Sequence, residues 1–163
     1  MSVNKFLPHV FVVPEDRADE ELANGFVQHD QVDGRQVQVL RPADGWSGVL
    51  DKFTTQYIPY LRNHSKGYVI LLIDFDSKYD DRRDQFKKAV PVELENRVFV
   101  VGCKETPELL RQALGESLED IGRSLADDCY KGTVDVWGHD HLKHNEPDRM
   151  QLVKMVKSIL FPK

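Results

Sequence analysis

The chain has 163 residues, which is enough for one compact domain and too few for two full catalytic domains. Hydrophobic residues make up 40% of it and charged residues 30%, a composition that excludes disordered and fibrous chains. The formal net charge of −5 provides no overall basic field, so any binding of nucleic acid must use a local basic patch.

The sequence indicates neither a membrane segment nor a secretion signal. No stretch reaches the ~18 to 20 uninterrupted apolar residues that a membrane span needs. The opening residues MSVNKFLPHV also lack the basic and long apolar regions of a signal peptide, so we expect a cytoplasmic protein. The two cysteines, Cys103 and Cys129, form no CxxC pair and are expected to be buried thiols.

The first half of the chain predicts two strands, each followed by a helix. HVFVVP at 9–14 is a short β-branched and aromatic run typical of a buried strand, and DEELANGFVQ at 19–28 has helical spacing. RQVQVLRP at 35–42 alternates polar and apolar residues, as a strand with one covered face does. Apolar residues then recur every three or four positions over 46–61, which predicts an amphipathic helix that Pro59 kinks or shortens.

The same alternation continues through the middle of the chain. YVILLIDF at 68–75 and RVFVVG at 97–102 are nearly continuous apolar runs, the pattern of strands covered on both faces of a parallel sheet. A short charged helix is predicted between them at 78–89.

Three further helices are predicted in the last third of the chain. Thr106 caps the first, which ends at Gly115. Ser117 begins the second and Asn145 caps the third. Between the last two, the segment TVDVWGHDHLKH fits a strand, a loop or a helical turn equally well.

These elements predict an α/β fold. Strands alternating with helices form a Rossmann-like three-layer sandwich, in which a mostly parallel four-stranded sheet has helices on both faces. A right-handed winding that begins in the middle of the sheet gives the strand order 2-1-3-4. We expect a single domain, 1–163, with an α/β core at about 8–103 and a helical C-terminal part at about 104–163.

Acidic residues follow two strands that are neighbours in this order. Glu15 follows the first strand, and Asp74 and Asp76 lie at the end of the third. Ligands of open α/β sheets bind outside the carboxyl ends of the strands, where the strand order reverses. Because neighbouring strands lie about 5 Å apart, we expect the three carboxylates to converge. Residues i and i+2 of a strand share a side, so Asp74 and Asp76 are expected to face one ion.

A group of carboxylates in one crevice is stable only if protons or a cation compensate their repulsion. Oxygen ligands of this kind suit Mg²⁺ or Mn²⁺. The alternative is that the acids only cap helices, with Asp76 serving the helix at 78–89 and Asp16 or Asp19 the first helix.

The segments VFVVPED and VILLIDFD resemble the Toprim domain of topoisomerases, primases and OLD-type nucleases, including its small stand-alone relatives. The resemblance covers roughly residues 9–103. It implies that Asp74 and Asp76 bind Mg²⁺ and that Glu15 acts as general acid/base or as a further metal ligand. The family often has glycine directly after the glutamate, where this chain has Asp16.

The resemblance implies cleavage or transfer at a phosphodiester of nucleic acid, within a larger protein complex or alone. Candidate phosphate-binding residues follow the DxD motif directly: Lys78, Arg82 and Arg83. The alternative for this basic run is a solvated helix face.

A second group of candidate metal ligands is found in GHDHLKHN. His139, His141 and His144 could converge on a transition metal such as Zn²⁺ from a loop. No cysteine or HExxH motif accompanies them, and a polar surface turn is the competing interpretation.

Three other functions remain open from the sequence. LLIDFDS also resembles the nucleophile motif of haloacid-dehalogenase phosphohydrolases, although that family usually places the motif on its first strand. The chain could be a non-catalytic Toprim-like module that binds a nucleotide or a protein. It could also be an α/β interaction module whose acids are helix caps.

Overall fold

A computed structural model describes residues 3–162. They form a sheet of four parallel strands in the order β2-β1-β3-β4, comprising β1 (His9–Pro14), β2 (Val37–Val39), β3 (Gly67–Leu72) and β4 (Val98–Val101). The α/β class, the parallel sheet and the predicted strand order are confirmed.

Within residues 3–162, seven α-helices surround the sheet. Those of the first two thirds of the chain are α1 (Arg17–Val27), α2 (Trp46–Lys52), α3 (Ile58–Asn63) and α4 (Tyr79–Ala89). Those of the last third are α5 (Pro107–Leu114), α6 (Leu118–Lys131) and α7 (Glu146–Leu160). No helix within residues 3–162 is both long and apolar enough to cross a membrane.

β1, β3 and β4 are buried on both faces, and their alternate residues enter two separate hydrophobic cores, whereas the edge strand β2 is only partly buried. Val10, Val12 and Ile70 pack on one face with side chains of α1, α5, α6 and α7. Phe11 and Val69 pack on the other face with side chains of α2, α3 and α4 and of the π-helical turn at Phe53–Tyr57. This is the three-layer arrangement that the continuous apolar strand patterns predict.

The predicted ends of two strands were wrong. β2 has three residues instead of the eight at 35–42, because the chain leaves the sheet after Val39. β3 ends at Leu72 instead of Phe75. There the side chain of Glu15, rather than a strand backbone, accepts the hydrogen bond of the Asp74 amide.

The helix over 46–61 continues past Pro59 to Asn63, with the π-helical turn in its middle. Proline has no N–H to donate, and a π-helical turn is a common adjustment where an α-helical hydrogen bond is lost. The two parts therefore stay in one helical run.

The predicted caps of α5 and α6 are confirmed, and that of α7 is wrong. Thr106 and Ser117 each accept a hydrogen bond from a backbone N–H of the first turn. Asn145 precedes α7, but its buried side chain bonds both backbone groups of Gly102 instead. In the segment 133–144, for which the sequence fits several structures, residues 135–142 form turns and bends that lead into a short 3₁₀ segment at Lys143–Asn145.

Glycines bring α1 and α6 into backbone contact. A Cβ built on Gly122 would lie 2.0 Å from the carbonyl oxygen of Leu22, and one on Gly25 would lie 2.1 Å from that of Glu119. The position of α1 therefore depends on the absence of side chains at these two sites.

We expect Gly122→Ala to lower the free energy of unfolding by about 2 to 3 kcal/mol, because the new methyl group forces the helices apart. Helix propensity alone would give the opposite sign, a gain of about 0.5 to 1 kcal/mol. Urea unfolding monitored by circular dichroism measures the difference. Gly34→Ala is the control, since a Cβ there would meet only a Val27 methyl at 4.0 Å. Equal stability of the two variants would contradict the close helix contact.

Candidate functional site

The first residue of the candidate site, Glu15, follows β1 directly at the carboxyl edge of the sheet. It is 8% exposed, and its Oε1 accepts a hydrogen bond of 2.8 Å from the backbone N–H of Asp74. This contact ties the ends of β1 and β3 together. Burial raises the pKa of Glu15, and the neighbouring charge of Asp16 raises it further.

Asp74 lies at the predicted place beside Glu15 and is 4% exposed. Its Oδ1 is buried and has no hydrogen-bond partner. Burial, together with the charges of Glu15 and Asp16, raises the pKa of Asp74 to about 8. A carboxyl group in this environment favours a bound proton or a nearby cation.

Asp16 and Asp19 extend the acidic group from the first turn of α1. Asp16 caps the helix, and its Oδ1 accepts a hydrogen bond of 3.1 Å from the Asp19 amide. Asp19 is 0% exposed, and neither of its carboxylate oxygens has a hydrogen-bond partner. Burial raises the pKa of Asp19 well above its ordinary value, and the neighbouring Asp74 carboxyl raises it further.

Three of these acids can offer ligand atoms to one ion. Carboxylate oxygens of Glu15, Asp16 and Asp74 all lie within 4.8 Å of one another. Among the described residues, no lysine, arginine or histidine forms an ion pair with these three acids or with Asp19. The orphaned buried oxygens and the hard oxygen donors fit Mg²⁺ or Mn²⁺.

Asp76, the second acid of the DxD motif, lies outside this group. The expectation that Asp74 and Asp76 share a side does not hold, because β3 has ended and both Asp76 and Ser77 have left-handed backbone conformations, with φ of 49° and 63°. The Asp76 side chain is 49% exposed and pairs with Arg82 at 2.8 Å. It does not cap α4, whose N-terminus has no side-chain cap.

The three basic candidates have different environments. Arg82 is buried, donates to the Asp74 carbonyl oxygen at 2.9 Å, and places its guanidinium 4.7 Å from the centre of the Trp46 ring. Arg83 donates to the buried carboxylate of Asp148 on α7. Lys78 is exposed and makes no ion pair within the described part of the chain.

Lys87, further along α4, also contacts Asp148 and is therefore not part of a purely solvated helix face. Its ammonium group lies 2.6 Å from Asp148, beside the Arg83 pair. Two cations of α4 therefore attach this helix to α7.

The histidines of 139–144 are not brought together as a metal site. Nδ1 of His139 accepts a hydrogen bond from the His141 amide, and Nε2 of His144 donates to the carbonyl oxygen of Gly102. Within residues 3–162, Glu15, Asp16 and Asp74 are the only group of three potential metal ligands that converge.

Sequence reasoning missed Asp16 and Asp19 as members of the site and treated both as helix-terminal acids. A signal was present: Asp19 precedes Leu22, Ala23 and Phe26 by three, four and seven residues. It therefore occupies the buried face of α1, where a lone acid requires a partner.

The fold and the acidic group define an α/β protein with a candidate divalent-cation site at the carboxyl edge of a parallel sheet. No protein-family model matches the chain, and neither the curated proteins nor the solved structures contain a match. The geometry of the acidic group is therefore the basis for a proposed function.

Proposed function

We propose that the chain is a Toprim-like protein that uses Mg²⁺ or Mn²⁺ to cleave or transfer a phosphodiester of nucleic acid. The observation that carries this proposal is a set of buried carboxylates without a cationic partner, located where the strand order reverses between β1 and β3. Ligand sites of open parallel sheets lie at this point.

Glu15, Asp16 and Asp74 would hold the ion, and Asp19 supports them from α1. A bound divalent ion would neutralise phosphate charge and lower the pKa of a coordinated water. Hydrolysis would join a water oxygen to phosphorus and break the bond to the leaving sugar oxygen, which would take up a proton. Burial raises the pKa of Glu15, as is often found for a carboxyl group that serves as general acid or base.

A non-catalytic metal-binding protein is the second candidate. The observation that favours it is the ion pair of Asp76 with Arg82, since Asp76 is not among the three acids whose carboxylate oxygens converge. Asp16 also adds a carboxylate where Toprim proteins often have glycine. Both candidates require the cation site, and only the first requires cleavage.

Magnesium is expected to raise the melting temperature of the wild-type protein and to leave Asp74→Asn unchanged. At a concentration 100 times the dissociation constant, binding stabilises the folded state by about 2.7 kcal/mol. For a chain of this size that corresponds to roughly 5 to 10 °C. Differential scanning fluorimetry across a Mg²⁺ series measures the shift.

Asp84→Asn is the matched control, because it removes an exposed acid of α4 that has no ion pair among the described residues. It should keep the full shift. An Mg²⁺ shift that survives in Asp74→Asn would place the ion elsewhere and contradict the proposed site.

Cleavage separates the two candidates. Single-stranded, duplex and supercoiled DNA are incubated with Mn²⁺ and either wild-type or Asp74→Asn protein from parallel purifications. Cleavage by the wild type alone supports the enzyme. Metal binding without cleavage of any substrate supports the second candidate, and equal cleavage by both preparations indicates a contaminating nuclease.

A further inference from the structure

Each loop at the carboxyl edge of the sheet carries one exposed cation. Arg41 follows β2, Arg17 follows β1, Lys78 follows β3 and Lys104 follows β4. Because all four strands are parallel, these loops lie along one edge in the order of the strands. The residues that carry these cations therefore follow one another in a row along the edge that also carries the acidic group.

These cations are little used within the described structure. Arg17 is 88% exposed and lies 3.7 Å from Glu21, a surface contact of small energy. Arg41, Lys78 and Lys104 form no ion pair with any residue of 3–162. By contrast, Arg82, Arg83 and Lys87 each form an ion pair with a neighbouring acid.

The length of the row fits a short stretch of nucleic-acid backbone. Neighbouring strands are about 4.8 Å apart, so the loops after β2 and β4 are separated by roughly 14 Å. Charges along one strand of a duplex repeat every ~3.4 Å, so this distance spans about four nucleotides.

The same four loops also carry acids. The net charge of these acids and bases together decides when an anion can bind. Residues 15–17, 40–45, 73–78 and 102–106 contain six acids and four bases. With all of them ionised, the edge has two net negative charges and repels phosphate. A divalent cation in the acidic group would cancel this excess.

We propose that the sugar-phosphate backbone of a nucleic-acid strand binds along this row, contacted by Arg17, Arg41, Lys78 and Lys104, and only once a divalent cation occupies the acidic group. This inference rests on the proposed function and adds the path of the substrate and its order of binding. Phosphate contacts of this kind fix the position of a strand without reading its sequence.

Fluorescence anisotropy of labelled oligonucleotides tests the proposal, with Ca²⁺ as an oxygen-binding probe cation and EDTA as the metal-free condition. The affinity should be at least tenfold higher in Ca²⁺. The logarithm of the binding constant should fall with the logarithm of salt concentration with a slope of about −2.8 for single strands or about −3.6 for duplex, as expected for four phosphate contacts. Arms with single-stranded DNA, RNA and duplex DNA identify the source of the strand.

Lys78→Gln, Arg41→Gln and Lys104→Gln should each weaken binding severalfold and reduce the single-strand slope by about 0.7. Lys88→Gln is the matched control. It removes an exposed lysine near the far end of α4, about 15 Å along the helix from Lys78, and should change neither quantity.

Mn²⁺ binding, followed without nucleic acid by electron paramagnetic resonance, separates the two proposals. A protein that binds Mn²⁺ but shows the same oligonucleotide affinity in Ca²⁺ and EDTA overturns this inference and leaves the metal site standing. The inference is also overturned if Lys88→Gln lowers the oligonucleotide affinity as much as Lys78→Gln does. A protein that binds no Mn²⁺ overturns the proposed function and this inference with it.

Discussion

In metal-free buffer the wild-type protein is expected to lose stability relative to Asp74→Asn as the pH rises from about 4 to about 8. Asp74 ordinarily has a pKa of 3.8, and in the folded protein burial raises it to about 8. The folded state therefore binds the proton more tightly than the unfolded state. The stabilisation is complete below the unfolded pKa and is lost as the pH passes through the folded pKa.

The expected effect is large. A tenfold change in proton affinity corresponds to about 1.4 kcal/mol, so a shift of this size is worth several kcal/mol. The pKa of Asp19 is also raised, but Asp19 is present in both proteins, so its own contribution does not enlarge the difference. Urea unfolding in EDTA at pH 5 and pH 8.5 measures the free energy of unfolding of both proteins.

The comparison with Asp74→Asn is needed because two buried histidines act in the opposite direction. Burial lowers the pKa of His9 and of His144, so their neutral forms favour the folded state as the pH rises. Both proteins contain these histidines, so their contribution cancels. A stability difference that is the same at pH 5 and pH 8.5 would contradict the raised pKa of Asp74.

Magnesium should remove much of this loss at pH 8.5. A cation binds the ionised carboxylates, so it stabilises the form that is least stable without metal. At pH 5 protons compete for the same oxygens, and the stabilisation by Mg²⁺ should be smaller.

The fold was predictable because three of its four strands, β1, β3 and β4, are short, continuous apolar runs. Buried strands such as 68–72 differ clearly from the amphipathic helices around them, and the parallel alternation leaves few strand orders. Local capping residues such as Thr106 and Ser117 act over three positions, so the sequence alone located the starts of α5 and α6. Asn145 could not be placed this way, since its partner Gly102 lies 43 residues away.

The site was predictable only where it follows from the sheet. Glu15 and Asp74 meet because adjacent parallel strands end at the same edge. The direction of Asp76 depends on a left-handed backbone at that residue and on Arg82, neither of which a strand pattern reveals. Arg83 donates a hydrogen bond to Asp148, which lies 65 residues away in the sequence, so a local pattern does not reveal this contact.

Asp19→Asn is expected to raise the stability of the metal-free protein and to weaken metal binding at the same time. Asp19 is fully buried beside Asp74, and neither of its oxygens is hydrogen-bonded. An amide in its place cannot ionise and can donate a hydrogen bond to the Asp74 carboxylate. We expect a gain of about 1 to 3 kcal/mol in the free energy of unfolding at pH 8 in EDTA.

The same amide removes part of the negative charge that attracts a cation, and we expect the Mn²⁺ affinity to fall at least tenfold. Isothermal titration calorimetry measures that affinity, and urea unfolding measures the stability. Asp30→Asn, at an exposed acid without an ion pair among the described residues, should change neither. A variant that is less stable than the wild type and binds Mn²⁺ equally well would contradict this prediction. Asp19 would then stabilise the fold and have no part in cation binding. If Asp19 serves cation binding at a cost in stability, its replacement must raise the free energy of unfolding and lower the Mn²⁺ affinity.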